Sequence, residues 1–166
     1  MHTRAFRPSG PGVRGQRRKL VWATFDTTIP VPAGPPTNST VDLLNQFELA
    51  GASKLGVTIM RTHLQLQLPY AVAGRWEVGL SVVRVTDIGT TRVNPNADND
   101  LDWALFNCFY ESYSGATIDA RRDVTIDLRA KRKCQEMGQT WGLSLWNSTA
   151  AAQTVSAFCR TLVALP

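Results

Sequence analysis

The alternation of apolar and polar residues along the chain predicts a protein built from β-strands. The pattern begins in residues 20–29, where Val21, Ala23 and Phe25 occupy alternate positions among β-branched and aromatic residues. Later segments with a comparable pattern are residues 55–68, 75–86, 101–113, 123–128, 140–147 and 154–165. We therefore predict about seven or eight strands, without internal repeats, in a single domain over residues 20–166.

Two of these segments change the parity of their apolar positions. In residues 55–68 these positions are first odd and then even, in the order Leu55, Val57, Ile59, Leu64, Leu66 and Leu68. Because successive side chains of a strand point to opposite faces, this change predicts a bulge or bend near residues 60–62. Residues 75–86 show a similar change toward their end, at Val83 and Val85. Such bends are typical of sandwiches and barrels.

One short helix is predicted between the first two long strands. Ser39 or Thr40 would cap it, residues 41–49 would form it, and Gly51 would end it. Residues 30–36 just before it hold four prolines and cannot form a central strand, because proline lacks a backbone donor for the ladder.

Residues 87–102 are predicted to form a loop rich in Asx residues. Asp98, Asp100 and Asp102 stand at alternate positions and could offer oxygen ligands to Ca²⁺. The glycine and the distal glutamate of an EF-hand loop are missing, so an Asx-rich turn is the alternative that we prefer. We predict no resident cofactor or metal.

The length, the cysteine spacing and the apolar runs of the sequence exclude several classes of protein. A chain of 166 residues can bury enough surface to fold without disulfides or a metal. Cys108, Cys134 and Cys159 form no Cys-x-x-Cys pair, so we predict reduced and mostly buried thiols. No apolar run of about 18 residues exists and no secretory leader is visible, which predicts a chain without a membrane partner.

Catalytic motifs are not evident in the sequence. The two histidines, His2 and His63, belong to no recognisable nucleophile–base pattern. Glycine patterns typical of phosphate loops, dinucleotide-binding folds and hydrolase nucleophile elbows are also missing. We therefore predict that the chain is not an enzyme.

Positive charge is concentrated in residues 1–19, which we call the arm. Six of the chain's 18 basic residues lie there without any acidic residue: Arg4, Arg7, Arg14, Arg17, Arg18 and Lys19. The rest of the chain holds 12 basic and 13 acidic residues, so the net charge of +5 comes from the arm. Glycines and prolines separate the arginines and few apolar residues are present, which predicts a disordered arm.

A flexible polycation attached to a nearly neutral body is suited to nucleic acid, because it neutralises phosphates by releasing counterions without reading the sequence. We therefore predict non-specific binding of nucleic acid by the arm. The alternatives are a solvated tail, a nuclear-localisation signal at residues 17–19, or an arm that contacts anionic lipid.

A second basic cluster follows the predicted strand at residues 123–128. It comprises Arg129, Lys131, Arg132 and Lys133. With Arg121 and Arg122 it could line the same side as the arm and continue a phosphate-binding surface. A solvated turn, partly balanced by Asp123, Asp127 and Glu136, is an equally good interpretation.

Residues 101–113 are rich in aromatic side chains, which predicts a strand that is buried on both faces or forms a subunit contact. Stacking platforms for single-stranded bases are the alternative, but no basic residue is interleaved with these rings. Aromatic residues that a lone domain would struggle to cover, such as Trp22, Tyr113 and Trp146, are our candidates for a subunit interface.

These features together favour an all-β fold: an antiparallel two-sheet sandwich, by preference a jelly roll, preceded by the basic arm. A basic arm that leads directly into one compact β-domain resembles the coat proteins of small icosahedral viruses. The resemblance rests on the six cations of the arm and on the strands from Leu20 onward.

The resemblance implies a virion protein, assembled in the interior of a host cell from copies of itself in a symmetric shell, whose arm lies against packaged nucleic acid. The alternatives are a phage head or tail accessory protein and a β-sandwich module that binds carbohydrate or another ligand.

Overall fold

Nine strands in two antiparallel sheets make up the part of the chain that the structure describes. The computed structural model describes residues 18–32, 38–45, 54–69, 74–89, 103–111, 121–147 and 152–166. In chain order the strands are β1 (Leu20–Val31), β2 (Asn38–Asp42), β3 (Thr58–Pro69), β4 (Gly74–Arg84), β5 (Trp103–Glu111), β6 (Arg121–Leu128), β7 (Arg132–Lys133), β8 (Gln139–Asn147) and β9 (Gln153–Ala164). A single 3-10 turn, Val85–Asp87, follows β4. The predicted all-β, antiparallel, two-sheet class is confirmed.

The order of the strands is that of a jelly roll. Sheet 1 has the order β1-β9-β3-β6, with the short β7 also paired to β3, and sheet 2 has the order β2-β8-β4-β5. Eight long strands therefore form two four-stranded sheets, and the first strand lies beside the last. The described segments contain no helix of the length and apolarity that crossing a membrane requires.

The parity change predicted for β3 is confirmed. The pairing of β3 with β9 shifts register between Ile59 and Arg61, and beyond this bulge Thr62 is only 1% exposed. Trp141 of β8 is fully buried, and its Nε1 donates a hydrogen bond of 3.0 Å to Thr62 Oγ1. The bulge thus places a polar acceptor inside the sandwich, where it joins sheet 1 to sheet 2.

The late parity change predicted for β4 is wrong. Its pairing with β8 runs without a shift, and the register shift with β5 places the extra residue, Ala104, on β5. Val78 and Leu80 lie in the core and Val82 packs against it, whereas Val83 is buried outside this core cluster. Val85 lies in the 3-10 turn and is half-exposed.

The helix predicted over residues 41–49 is wrong in the part that the structure describes. Residues 38–42 form β2, which pairs with β8, and residues 43–45 form a turn. Asp42 stabilises this turn, because its Oδ1 accepts hydrogen bonds from the Leu44 backbone N–H at 2.8 Å and from the Thr140 hydroxyl at 2.5 Å, while Lys54 forms an ion pair with Oδ2. Pairing with β8 satisfies the backbone groups that a helix would have satisfied locally. Residues 46–49 lie outside the described segments.

The core lies between the two sheets and contains two cysteines. Cys134 and Cys159 are buried free thiols, as predicted, whereas nothing is described of the Cys108 side chain. Burial raises the pKa of both thiols from about 9 to about 11. At neutral pH both therefore remain protonated and poorly nucleophilic.

These two thiols predict a loss of stability in alkali. Thiols of the unfolded chain ionise above about pH 9, but those of the folded chain stay protonated until about pH 11. The free energy of unfolding is thus expected to fall across this window by on the order of 2 kcal/mol per thiol. Urea titrations at several pH values would measure the fall, and the Cys134→Ala/Cys159→Ala variant should show less of it. An equal fall in that variant would contradict the prediction.

Candidate nucleic-acid interface

The last two residues of the arm are held against sheet 1. The carbonyl of Lys19 accepts a hydrogen bond of 2.9 Å from the Leu165 backbone N–H, just beyond the end of β9. Arg18 Nη1 donates to Thr58 Oγ1 at 3.2 Å, at the first residue of β3. The arm therefore joins the domain at the end of the sheet where β9 finishes and β3 begins. Four of its predicted phosphate-binding residues, Arg4, Arg7, Arg14 and Arg17, lie outside the described segments.

The second basic cluster lies at this same end of sheet 1. Strand β7 pairs with the start of β3, so that Lys133 is the register partner of Thr58 and Arg132 that of Ile59. The hydroxyl that accepts the hydrogen bond from Arg18 thus belongs to the residue paired with Lys133. A hydrogen bond of 3.0 Å from the Cys134 backbone N–H to the Val57 carbonyl fixes the segment just after β7.

Arg121 and Arg122 do not join this cluster, and the expectation that they would is wrong. They pair with Pro69 and Leu68, at the end of β3 opposite to Thr58. Strand β6 separates Arg122 from Leu128 by about 20 Å, since an extended strand rises about 3.3 Å per residue. Among the described residues, the end of sheet 1 at Thr58 holds Arg18, Lys19, Arg129, Lys131, Arg132 and Lys133, which we call the basic end of sheet 1.

The carboxylates expected to balance the second cluster are engaged or located elsewhere. Asp127 accepts two hydrogen bonds from Arg61, at 2.8 Å from Nε to Oδ1 and at 2.5 Å from Nη2 to Oδ2. These bonds, with smaller contributions from the charges of Arg61, His63 and Arg129, lower the pKa of Asp127. Glu136 lies 4.0 Å from Arg84.

Asp123 is the third carboxylate expected to balance the second basic cluster. It lies near the opposite end of β6, where it pairs with Gln67. The interpretation of the basic residues as a turn neutralised by these three carboxylates is therefore disfavoured.

An exposed indole lies on the outer face of sheet 1 near the basic end. Trp22 of β1 is 43% exposed, and the Arg160 guanidinium carbon lies 4.9 Å from the centroid of its ring. Across the sheet, Arg160 of β9 has Thr24 on one side and His63 on the other as register partners. Sequence reasoning missed this pair of an aromatic and a basic residue, because its members are far apart in the chain and meet only through the pairing of β1 with β9.

The three candidates for a subunit interface have different positions. Trp22 is exposed, as expected. Trp146 is only 8% exposed, so the expectation that a lone domain leaves it uncovered is wrong: β8 lies inside sheet 2, between β2 and β4. Tyr113 lies outside the described residues.

The candidate calcium ligands Asp98, Asp100 and Asp102 also lie outside the described residues. Among the residues that are described, no group of three or more His, Cys, Asp or Glu side chains is arranged to hold a metal ion.

A shallow depression of about 430 Å³ lies on the outer face of sheet 1, away from the basic end. Its lining includes Asp26, Gln65, Gln67, Asp123 and Phe158. A carbohydrate-binding module would be favoured by several exposed coplanar rings, and the described lining of this depression has one aromatic side chain. The geometry therefore favours the basic end as the candidate functional site.

Comparison with known proteins gives similarity at the level of structure. No protein-family model matches the chain, and no curated protein does. Solved structures similar to it include turnip yellow mosaic virus, with a TM-score of 0.43 and 13% identity over 99% of this chain and 89% of that one. The tobacco streak virus coat protein has a TM-score of 0.40 and 12% identity over 89% of this chain and 87% of that one.

A third similar structure is infectious bursal disease virus, Gt strain, with a TM-score of 0.43 and 8% identity. It is matched over 90% of this chain, which spans only 32% of the viral chain. The solved structures similar to this chain thus include viral coat proteins, in line with the resemblance predicted from the sequence. Since all three TM-scores are below 0.5, the assignment of the fold rests on the strand order, and that of function on the site.

Proposed function

We propose that this chain is a virion structural protein: a coat subunit that assembles with copies of itself and contacts packaged nucleic acid through its basic arm. One observation supports the proposal above the others, namely that the arm and the second basic cluster meet at one end of sheet 1, at Thr58 and Lys133. Arg18 and Lys133, far apart in sequence, thereby lie at the same end of sheet 1.

This surface binds phosphates rather than bases. Six cations of the arm and four of the second cluster give ten positive charges, and the rest of the chain holds 8 basic and 13 acidic residues. Each cation that neutralises a phosphate releases a condensed counterion, so the affinity is high at low salt and independent of sequence. A coat protein needs this property because it must package an entire genome rather than one site.

The domain supplies self-association in this proposal. Large apolar side chains remain exposed on the isolated chain, among them Leu55, Met60, Val85 and Met137. Contacts between such side chains are individually weak, but they repeat around every symmetry axis of a closed assembly. The assembled protein would reside in the virion, after assembly in the interior of the host cell.

The test compares the full chain with a variant that lacks residues 1–17 and keeps Arg18 and Lys19, whose contacts hold the start of β1. Both proteins are expressed and purified at low salt, then examined by electron microscopy and by the ratio of absorbance at the nucleic-acid and protein maxima. We expect nucleic-acid-containing particles from the full chain, and empty particles or none from the variant. Monomers free of nucleic acid in both preparations would refute the proposal.

A further inference from the structure

Trp22 lies close to the basic end of sheet 1. Only two residues separate it from Lys19, and its ring is 43% exposed on the outer face of sheet 1. Arg160 lies over the ring at 4.9 Å and is itself exposed. The guanidinium thus orients the indole and presents a positive charge beside it.

We propose that Trp22 and Arg160 form a stacking platform for the bases of a single-stranded nucleic acid whose phosphates are bound at the basic end of sheet 1. The inference rests on the proposed function and names the form of nucleic acid bound. Single-strand binding combines a positively charged track for the backbone with aromatic rings on which bases stack, and both are present here within a few residues of chain. A duplex keeps its bases paired and stacked inside, so the indole gains little from it.

The surroundings of Trp22 favour this occupant over a second copy of the chain. Protein–protein interfaces are enriched in tryptophan and arginine but depleted of lysine. Trp22 has Arg160 against its ring and the exposed Lys19 three positions before it in the chain. Packing this indole into an apolar contact would require these cations to lose their hydration.

The experiment uses the full chain and three nucleic-acid ligands of equal length. They are a single-stranded oligothymidylate, the duplex of that strand with its complement, and an abasic strand that has the same phosphates but no bases. Affinities of the wild type, Trp22→Ala, Trp22→Phe and Leu20→Ala are measured by fluorescence anisotropy at one salt concentration. Leu20→Ala is the matched control, because Leu20 is an exposed apolar residue of the same strand without a ring. Oligouridylate in place of oligothymidylate tests whether the platform accepts both sugars.

We expect Trp22→Ala to weaken binding of the oligothymidylate about tenfold and to leave binding of the abasic strand unchanged. Trp22→Phe should retain most of the affinity, and Leu20→Ala should match the wild type. Binding of every strand by the wild type with no effect of Trp22→Ala would overturn the platform alone. Loss of assembly in Trp22→Ala with unchanged binding would assign the indole to a subunit contact instead. Failure of the wild type to bind any strand would refute the proposed function itself.

Discussion

Replacing the six cations of the arm by glutamine is expected to reduce the salt dependence of nucleic-acid binding by more than half. If all ten cations of the arm and the second cluster neutralise phosphates of a single strand, the affinity falls with salt at a logarithmic slope of about −7. Four remaining cations give a slope of about −3. Between about 50 mM and about 200 mM salt, the full chain should lose about 10⁴-fold in affinity and the substituted chain about 50-fold.

A suitable control is Arg122→Gln, because Arg122 is exposed and lies at the end of β6 opposite to the basic end. This substitution should leave the slope unchanged. The measurement is a titration of a labelled single strand at four or more salt concentrations. An unchanged slope after removal of all six charges would show that the arm does not contact phosphates, whatever the absolute affinity.

The largest loss of stability is expected from Trp141→Ala. This indole is fully buried between the sheets, and its N–H donates a hydrogen bond to the Thr62 hydroxyl. Its removal leaves a cavity and abolishes the hydrogen bond between β8 and β3. The free energy of unfolding should fall by about 3–5 kcal/mol. Urea denaturation followed by circular dichroism would measure it. Trp22→Ala is the matched control, since the same truncation at an exposed site should change stability by about 0.5 kcal/mol or less.

The hydrogen bond can be separated from the packing by a double-mutant cycle. Thr62→Val keeps the shape of the acceptor but leaves the indole N–H buried without a partner, which costs about 1–3 kcal/mol. In the Trp141→Phe background the donor is gone, so Thr62→Val should cost much less. Equal costs of Thr62→Val in both backgrounds would mean that the bond contributes nothing to the link between the sheets.

The strands were predictable because their signal is local. The odd-to-even change around residues 60–62 located the bulge of β3 from sequence alone, since a strand buried on one face must keep its apolar side chains inward. Pro30 forms part of β1 without disrupting the sheet, because β1 is an edge strand. The local signal failed at residues 41–45, where cap and helix residues fit a helix but the edge of β8 offered a partner that no local pattern could show.

The candidate site was predictable only in its charges. The composition of residues 1–19 and the run from Arg129 to Lys133 are evident in the sequence. Their meeting at Thr58 is not, because it requires β9 to lie between β1 and β3 and β7 to pair with β3. For the same reason Arg121 and Arg122 looked like neighbours of this run, although strand β6 holds them at its opposite end.

The pairing of the first strand with the last also governs how the protein is made. Strand β1 leaves the ribosome early, but its partner β9 is synthesised only after all the other strands. Sheet 1 therefore stays incomplete until β9 has been synthesised. This slows folding and leaves apolar strands accessible to chaperones. Residues 1–19 emerge before any of these strands. If the proposed function holds, these residues are available to nucleic acid before the domain closes, and the two events are separable in time during translation.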